Sequence, residues 1–298
     1  MERVFLIGCG GMLGSYVYEE FKEHEIKAYD IDVNDSWMEY GDITDKEFLR
    51  NAFEDFKPTL VINLAAKTDL EYCEENKELA YDTNSFSAEY LGDLCEDYGS
   101  VYIFISTAGI FDGKRENYTE YEPAYPLGVY GISKWHTENY INNKVKKSYI
   151  MRAGWMFGGG RKDKKFIRKI TEQINDGKKE LNVVDDKLGT PTYTKDFAKN
   201  MKNIFDKKLP YGLYNSVSKG DASRYDTVVE LINILELDIK VNKVESEFFK
   251  EEYYAERPKS EKLLNAKLEM LNENNMREWK DALRDYILNG NFKEYYEV

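Results

Sequence analysis

The segment RVFLIGCGGMLGSYV, residues 3–17, places an apolar run directly before a turn with four glycines. The run 3–7 predicts a buried strand. The turn passes into a pattern that predicts an amphipathic helix, with apolar positions at Met12, Leu13, Tyr16, Val17 and Phe21. A buried strand that ends in glycines and leads straight into a helix predicts the first unit of an α/β fold with parallel strands.

Two glycine spacings compete in this turn. The spacing Gly8-x-Gly10 requires a third glycine where Leu13 stands, whereas Gly8, Gly11 and Gly14 fill every position of a Gly-x-x-Gly-x-x-Gly pattern. We interpret the second set as functional and Gly10 as a residue that eases the turn. Glycines here let backbone N–H groups approach a pyrophosphate at the helix N-terminus, so the turn, with Met12 and Leu13, predicts a dinucleotide site.

Asp30 lies at the end of the second predicted strand (residues 27–32), 16 residues after Gly14. A carboxylate at this point can accept hydrogen bonds from an adenosine ribose and would repel a 2′-phosphate. Asp30 therefore favours NAD(H), with NADP(H) still possible, and Asp32 competes for the same role.

Strands and helices alternate over the first 153 residues. Strands are predicted at 59–66, 101–106 and 148–153, and helices at about 78–98 and 127–145. A capping box at Thr44 and Glu47 predicts the start of a further helix. The pattern predicts a Rossmann-like, doubly wound parallel sheet over residues 1–153. Residues 154–298 are expected to form mainly a smaller C-terminal substrate-binding lobe, with helices near 194–206 and 223–236 and some segments returning to the main sheet.

Charge and composition exclude several classes of function. The formal net charge of −13 opposes a general affinity for nucleic acid. Three separated cysteines (Cys9, Cys73, Cys95) and only two histidines argue against a disulfide framework and a metal site. With no apolar stretch long enough for a membrane span and no signal-peptide pattern, we expect a cytoplasmic protein without membrane contact.

Tyr130 and Lys134 are four residues apart on a predicted helix and therefore share one face. A neighbouring ammonium favours the phenolate, so we expect a lowered pKa for Tyr130 and proton transfer to or from a sugar oxygen. The pair follows a strand whose carboxyl end carries Ser106 and Thr107, the end at which ligands bind in such sheets.

These pieces together resemble the dTDP-4-dehydrorhamnose reductase family, within the extended short-chain dehydrogenases/reductases. The matching segments run in the family's order from residue 8 to about residue 263: GCGGMLG, GDITD, VINLAA, ISTAGIFDG, YGISKWHTE, RAGWMFG, GTPT and RPKSEKL. The resemblance implies an NAD(P)H-dependent oxidoreductase that reduces the 4-keto group of a nucleotide-linked 6-deoxy sugar, in dTDP-rhamnose and polysaccharide biosynthesis. A nucleotide-diphosphate sugar is then the expected partner. A homodimer that pairs the helices near 78–98 and 127–145 is expected only by analogy with the superfamily.

The resemblance also implies residue roles. Tyr130 would donate the proton, Lys134 would tune Tyr130 and hold the nicotinamide ribose, and Thr107 would bind the keto oxygen. The other implied cofactor contacts are Asp42 and Ile43 at the adenine, and Leu64, Ala65 and Ala66 near the phosphates and ribose. The implied substrate contacts are Trp155 and Lys187 near the sugar, and Arg161 and Lys165 in a basic loop with Lys162 and Lys164.

Two departures from the family pattern leave the sugar open. Ala108 and Gly109 stand where the family has Asp-Tyr, and Lys187 stands where it often has Gln. Neither Ala108 nor Gly109 can transfer a proton, which argues against a dehydratase. An epimerase on the same scaffold, and a non-catalytic regulatory subunit like that of methionine adenosyltransferase, remain alternatives.

Overall fold

The computed structural model describes residues 1–296, and its centre is a sheet of seven parallel strands. In chain order, the strands of the molecule are β1 (Arg3–Ile7), β2 (Glu25–Asp30), β3 (Glu39–Tyr40), β4 (Leu60–Asn63), β5 (Val101–Thr107), β6 (Ser148–Ala153), β7 (Trp155–Phe157), β8 (Glu180–Val184), β9 (Leu188–Gly189), β10 (Pro191–Tyr193), β11 (Gly212–Asn215), β12 (Ala222–Ser223), β13 (Lys240–Val244) and β14 (Ser260–Glu261). The seven-stranded sheet has the order β11-β6-β5-β4-β1-β2-β3, so the predicted doubly wound parallel sheet is confirmed.

The helices alternate with these strands. They are α1 (Gly14–Phe21), α2 (Lys46–Phe56), α3 (Leu70–Glu75), α4 (Lys77–Tyr81), α5 (Ser87–Tyr98), α6 (Val129–Lys144), α7 (Phe166–Asn175), α8 (Thr194–Asp206), α9 (Arg224–Leu235), α10 (Ala266–Met270) and α11 (Trp279–Asn289). Within residues 1–296, none of the helices combines the length and the apolar character that crossing a bilayer requires.

Both faces of the sheet are buried, which explains the continuous apolar strands. On one face, Val4 and Leu6 pack with α1 and α8 residues such as Val17 and Phe197. On the other face, the alternate residues Phe5 and Ile7 pack with α2, α5 and α6.

The register brings the carboxyl ends of the central strands to one edge. Ile7 of β1 pairs with Asn63 of β4, Asn63 pairs with Phe104 of β5, and Thr107 pairs with Ala153 of β6. The glycine turn after β1 and the polar residues after β4 and β5 therefore open into the same crevice, as in other open α/β sheets.

The second half of the chain builds its own core and also completes the main sheet. Its core packs Leu181, Val228, Leu283 and their neighbours between α7, α9 and α11. Strand β11 from this half pairs in parallel with β6, so every residue of β6 is buried.

Two local predictions differ from the structure. Helix α2 is capped by Asp45, whose side chain accepts a hydrogen bond from Phe48 N at 2.9 Å. Thr44 was expected as the cap, but its hydroxyl donates to Asp42 Oδ1 at 2.8 Å and is unavailable to the helix. The helical segment predicted at 78–98 contains a π-helical turn at Asp82–Phe86 between α4 and α5.

A buried ion pair fixes α6 to the sheet. Arg152 of β6 donates to both carboxylate oxygens of Glu138 of α6, and both side chains are nearly inaccessible to solvent. The Arg152 guanidinium also lies 5.2 Å from the centre of the Phe111 ring. The pair therefore connects the helix that carries Tyr130 and Lys134 to the central sheet.

Replacing Arg152 by Met should lower the free energy of unfolding by about 3–5 kcal/mol, because Glu138 would be left buried without a counter-ion. Urea unfolding followed by circular dichroism measures this loss. The control is Lys22→Met, which removes an exposed pair with Glu19 and should leave the unfolding free energy close to that of the wild type. Equal losses in the two variants would show that the buried pair does not hold α6.

Candidate active site

A cavity of about 1460 Å³ lies along the carboxyl edge of the sheet. Its walls come from the segments after β1, β4, β5 and β6, and from the loops of the second half of the chain. The position is the one that the strand register dictates, since each strand end delivers its following residues to the same edge.

The glycine turn forms one end of this cavity. Gly8 has a φ of +80°, and a Cβ there would lie 2.1 Å from the backbone nitrogen of Ala65. A Cβ on Gly14 would lie 1.8 Å from the carbonyl oxygen of Cys9, whereas a Cβ on Gly11 would meet no atom within 4 Å. Gly8 and Gly14 therefore serve close backbone packing, and Gly11 leaves open space at the start of α1.

Most of the residues expected at the cofactor line this cavity. They are Gly8, Gly11, Met12, Leu13, Asp30, Asp42, Ile43, Leu64, Ala65, Ala66, Tyr130 and Lys134. Gly14 is buried in the packing of α1 and does not line it. An open glycine cradle at a helix N-terminus, followed by apolar walls, fits a dinucleotide.

Asp30 holds the glycine turn as well as lining the cavity. Its carboxylate accepts hydrogen bonds from Gly10 N at 2.7 Å and from Asp32 N at 2.8 Å. The competing residue Asp32 is exposed and lies outside the cavity lining. Of the two carboxylates, only Asp30 borders the space where a cofactor would lie.

Thr107, Tyr130 and Lys134 meet in the cavity between the ends of β5 and α6. The Thr107 hydroxyl accepts a hydrogen bond from Gly109 N at 3.1 Å, and it retains a proton of its own as a donor. Lys134 is buried, and its ammonium lies 4.0 Å from the centre of the Phe104 ring.

The expected lowering of the Tyr130 pKa was wrong for this structure. Burial raises the pKa of Tyr130 to about 12, against the opposing effect of its hydrogen bond with Thr107. Burial also lowers the pKa of Lys134 to about 7, against the opposing charge of Glu138. Desolvation is the largest influence on both groups, and it shifts each of them towards its neutral form.

The sequence reading missed a buried asparagine that positions this helix. Asn84 lies in the π-helical turn Asp82–Phe86. Its side-chain amide donates to Ser133 Oγ at 3.1 Å and exchanges hydrogen bonds with the backbone of Lys67. It connects the loop after β4 to α6, one residue before Lys134. Its only sequence signal was a polar residue inside an apolar helical pattern, which is too common to single out.

On the far side of the cavity, Trp155 lies against two residues that the sequence reading did not name. Its indole Nε1 donates to Glu261 Oε2 at 2.7 Å, and the Arg224 guanidinium stacks 3.8 Å from its ring centre. Gly189 makes room for the ring, since a Cβ there would lie 2.2 Å from it. Trp155 thus borders the cavity.

The predicted basic contacts divide into two groups. Lys165 and Lys187 line the cavity, and their ammonium groups donate to Thr68 Oγ1 at 2.8 Å and to the Arg257 carbonyl at 2.9 Å. Arg161 is exposed and is not brought to the cavity, because its guanidinium donates to the carbonyl of Glu294 at 3.1 Å. Arg224 adds a further cation to the lining.

The chain matches the family model of the RmlD substrate binding domain over residues 1–291. It is 31% identical to the spore coat polysaccharide biosynthesis protein SpsK of Bacillus subtilis over 96% of this chain and 97% of that protein. A dTDP-4-dehydrorhamnose reductase structure from Clostridium acetobutylicum has a TM-score of 0.87 and 33% identity, covering 96% of this chain and 98% of the other.

A second structure bears on the cofactor. The dTDP-4-dehydrorhamnose reductase of Bacillus anthracis, solved in complex with NADP, has a TM-score of 0.86 and 26% identity. The match covers 97% of this chain and 99% of that one.

Lys134 should make stability depend on pH. Its folded pKa of about 7 lies below the ordinary value of about 10.4, so between the two the unfolded chain binds more protons and stability rises with pH. Relative to Lys134→Met, the wild type should therefore gain unfolding free energy from about pH 7 to about pH 10. Urea unfolding of both proteins across this range measures the trend.

The matched control is Lys144→Met, at the exposed end of the same helix. Its difference from the wild type should show no comparable trend with pH. A Lys134→Met difference that also stays constant would contradict a neutral, desolvated Lys134.

Proposed function

The chain belongs to the RmlD substrate-binding domain family, and from that membership we propose that it reduces the 4-keto group of a nucleotide-linked 6-deoxy sugar with NADH or NADPH. The observation that carries the proposal is the convergence of a glycine cradle, Thr107, Tyr130 and Lys134 on one cavity. A nicotinamide cofactor, a proton donor and a carbonyl-binding hydroxyl are the parts that such a reduction needs.

The side chains of this site bind the carbonyl oxygen of the substrate and donate the proton to it. When bound, the reduced nicotinamide supplies the hydride. Thr107 donates a hydrogen bond to the carbonyl oxygen, and Tyr130 donates the proton as that oxygen gains charge. The high pKa of Tyr130 keeps the phenol protonated at neutral pH, as a proton donor must be.

The basic residues of the lining suit the substrate's diphosphate. Arg224 is stacked between Trp155 and Phe166, with its guanidinium 3.8 Å and 4.7 Å from the two ring centres. Lys165 and Lys187 border the same cavity. Fixed cations at a partly desolvated site bind phosphate oxygens strongly, so we assign Arg224 to this role with the two lysines and omit Arg161.

Asp30 supports a preference for NADH. Its carboxylate borders the cavity after β2, where it would accept hydrogen bonds from ribose hydroxyls and repel a 2′-phosphate. The cytoplasmic location and the homodimer remain predictions from the sequence.

Replacing Tyr130 by Phe should reduce kcat by about 10²- to 10⁴-fold, because the proton donor is lost while the ring remains. The assay is NADH or NADPH oxidation with a panel of nucleotide-linked 4-keto-6-deoxy sugars. Tyr140→Phe is the matched control, since Tyr140 lies on the same helix and donates only to Asp93 on the protein surface. It should retain wild-type kcat.

Three outcomes would contradict the proposal. Full activity in Tyr130→Phe would remove Tyr130 from the chemistry. Tightly bound NAD with sugar interconversion and no net oxidation would indicate an epimerase. Absence of turnover, together with stable association with a methionine adenosyltransferase, would indicate a regulatory subunit.

Two glycine variants separate cofactor binding from folding. Gly11→Ala should fold normally but bind NADH about tenfold or more weakly, a cost of about 1.4 kcal/mol or more, since its methyl would stand in open space of the cavity. Gly14→Ala should lose about 1–3 kcal/mol of unfolding free energy, because its methyl overlaps the Cys9 carbonyl. Fluorescence titration with NADH and urea unfolding measure the two effects, and unchanged NADH affinity in Gly11→Ala would contradict the assignment.

A further inference from the structure

Glu261 is a carboxylate placed inside the cavity by a short strand. Strand β14 pairs with β9, and Glu261 lies opposite Gly189, the residue whose missing side chain admits Trp155. One carboxylate oxygen, Oε2, accepts the hydrogen bond from Trp155 Nε1 at 2.7 Å. Within residues 1–296, Trp155 is the only hydrogen-bond partner that the Glu261 side chain has.

The other oxygen of Glu261 faces the space beside Thr107. The position that a Cβ on Gly109 would occupy lies 3.5 Å from Glu261 Oε1 and 3.4 Å from Thr107 Oγ1. Both oxygens therefore lie beside the Gly109 backbone on the same part of the cavity wall, which no side chain of residue 109 covers. A ligand held by the Thr107 hydroxyl therefore lies on the same side of the cavity as Glu261 Oε1.

The groups around Glu261 stabilise its negative charge only in part. Arg224, Arg257 and Lys187 stabilise the carboxylate from a distance, but burial outweighs them and raises the pKa of Glu261. Arg257 is committed to Glu71 at 2.8 Å, and Lys187 donates to the Arg257 carbonyl. A desolvated carboxylate oxygen with no donor of its own gains most from a hydroxyl that enters the cavity.

We propose that Glu261 is a specificity-determining residue, which accepts a hydrogen bond from the sugar hydroxyl on the ring carbon next to the ketone. This inference rests on the proposed function, since it takes the carbonyl oxygen to be bound by Thr107 and Tyr130. In a 4-keto-6-deoxy hexose, one neighbour of the ketone carries a hydroxyl and the other carries a methyl group. Glu261 Oε1 accepts from the hydroxyl and offers nothing to the methyl, so it orients the ring.

The test compares three substrates that differ only at that ring carbon, which carries a hydroxyl, a hydrogen or a fluorine. For the wild type, kcat/KM should be about 10- to 100-fold higher for the hydroxyl compound than for the deoxy compound, the range expected for a hydrogen bond to a charged group. The fluoro compound should be the poorest, because fluorine cannot donate and faces a negative oxygen.

The variant Glu261→Gln changes the atom that faces the cavity and keeps the hydrogen bond with Trp155. The amide oxygen can still accept from Trp155 Nε1, which places the amide NH₂ towards the cavity as a donor. The preference for the hydroxyl compound over the deoxy compound should fall by about five- to tenfold, because the hydroxyl would accept a neutral hydrogen bond from the amide in place of donating one to a charged oxygen. The fluoro compound should improve relative to both, since the negative oxygen that it faces is removed. Thermal unfolding and NADH binding of the variant verify that it is folded.

Trp155→Phe is the matched control for a merely structural role. It removes the indole N–H and leaves the carboxylate, so the preference for the hydroxyl compound should persist even if overall activity falls. Equal loss of preference in Trp155→Phe and Glu261→Gln would overturn the inference, because Glu261 would then act only through Trp155.

Failure of the inference is distinguishable from failure of the proposed function. If the wild type reduces no 4-keto sugar, the proposed function fails. If the wild type reduces the hydroxyl and deoxy compounds with kcat/KM values within about threefold of each other, the reductase stands and Glu261 does not determine specificity. This wild-type comparison also decides the matter if Glu261→Gln does not fold.

Discussion

The close backbone approach at the glycine turn is the constraint on which the rest of the site depends. Gly8 packs against the backbone of Leu64 and Ala65 so tightly that no side chain fits between them. This contact brings the ends of β1 and β4 together and points the start of α1 into the crevice. Any larger residue at position 8 would separate the strands, and with them the loops that form both the cofactor wall and the floor of the cavity.

The reactive helix α6 is held from several sides at once. The Arg152–Glu138 pair attaches it to the sheet, and Asn84 attaches it to the loop after β4. Asn84 lies in a π-helical turn, and such turns are frequent at functional sites. Burial of α6 has a chemical result as well, because it favours the neutral forms of both Tyr130 and Lys134.

The sequence predicted the parallel sheet and the groups at its carboxyl edge, because strand and glycine patterns are local. It could not reveal Asn84, Arg224 or Glu261 as neighbours of the site, since their roles arise from contacts between distant segments. The Tyr130–Lys134 spacing indicated a shared face, but the pKa values depend on burial, which spacing does not report. The sequence also grouped Arg161 with Lys165 in one basic loop. In the structure Arg161 binds the Glu294 carbonyl while Lys165 lines the cavity, because neighbouring side chains of a loop can point in opposite directions.

Strand β11 has a consequence for how the molecule could be divided. Although the first 153 residues contain the glycine turn, Thr107, Tyr130 and Lys134, the hydrogen-bonding edge of β6 is covered by residues 212–215. A fragment ending near residue 153 would leave β6, whose six residues are all buried in this structure, as an open edge strand, the feature that promotes edge-to-edge aggregation. The second half of the chain therefore protects the open edge of the sheet that carries the glycine turn, and a fragment without it is expected to aggregate.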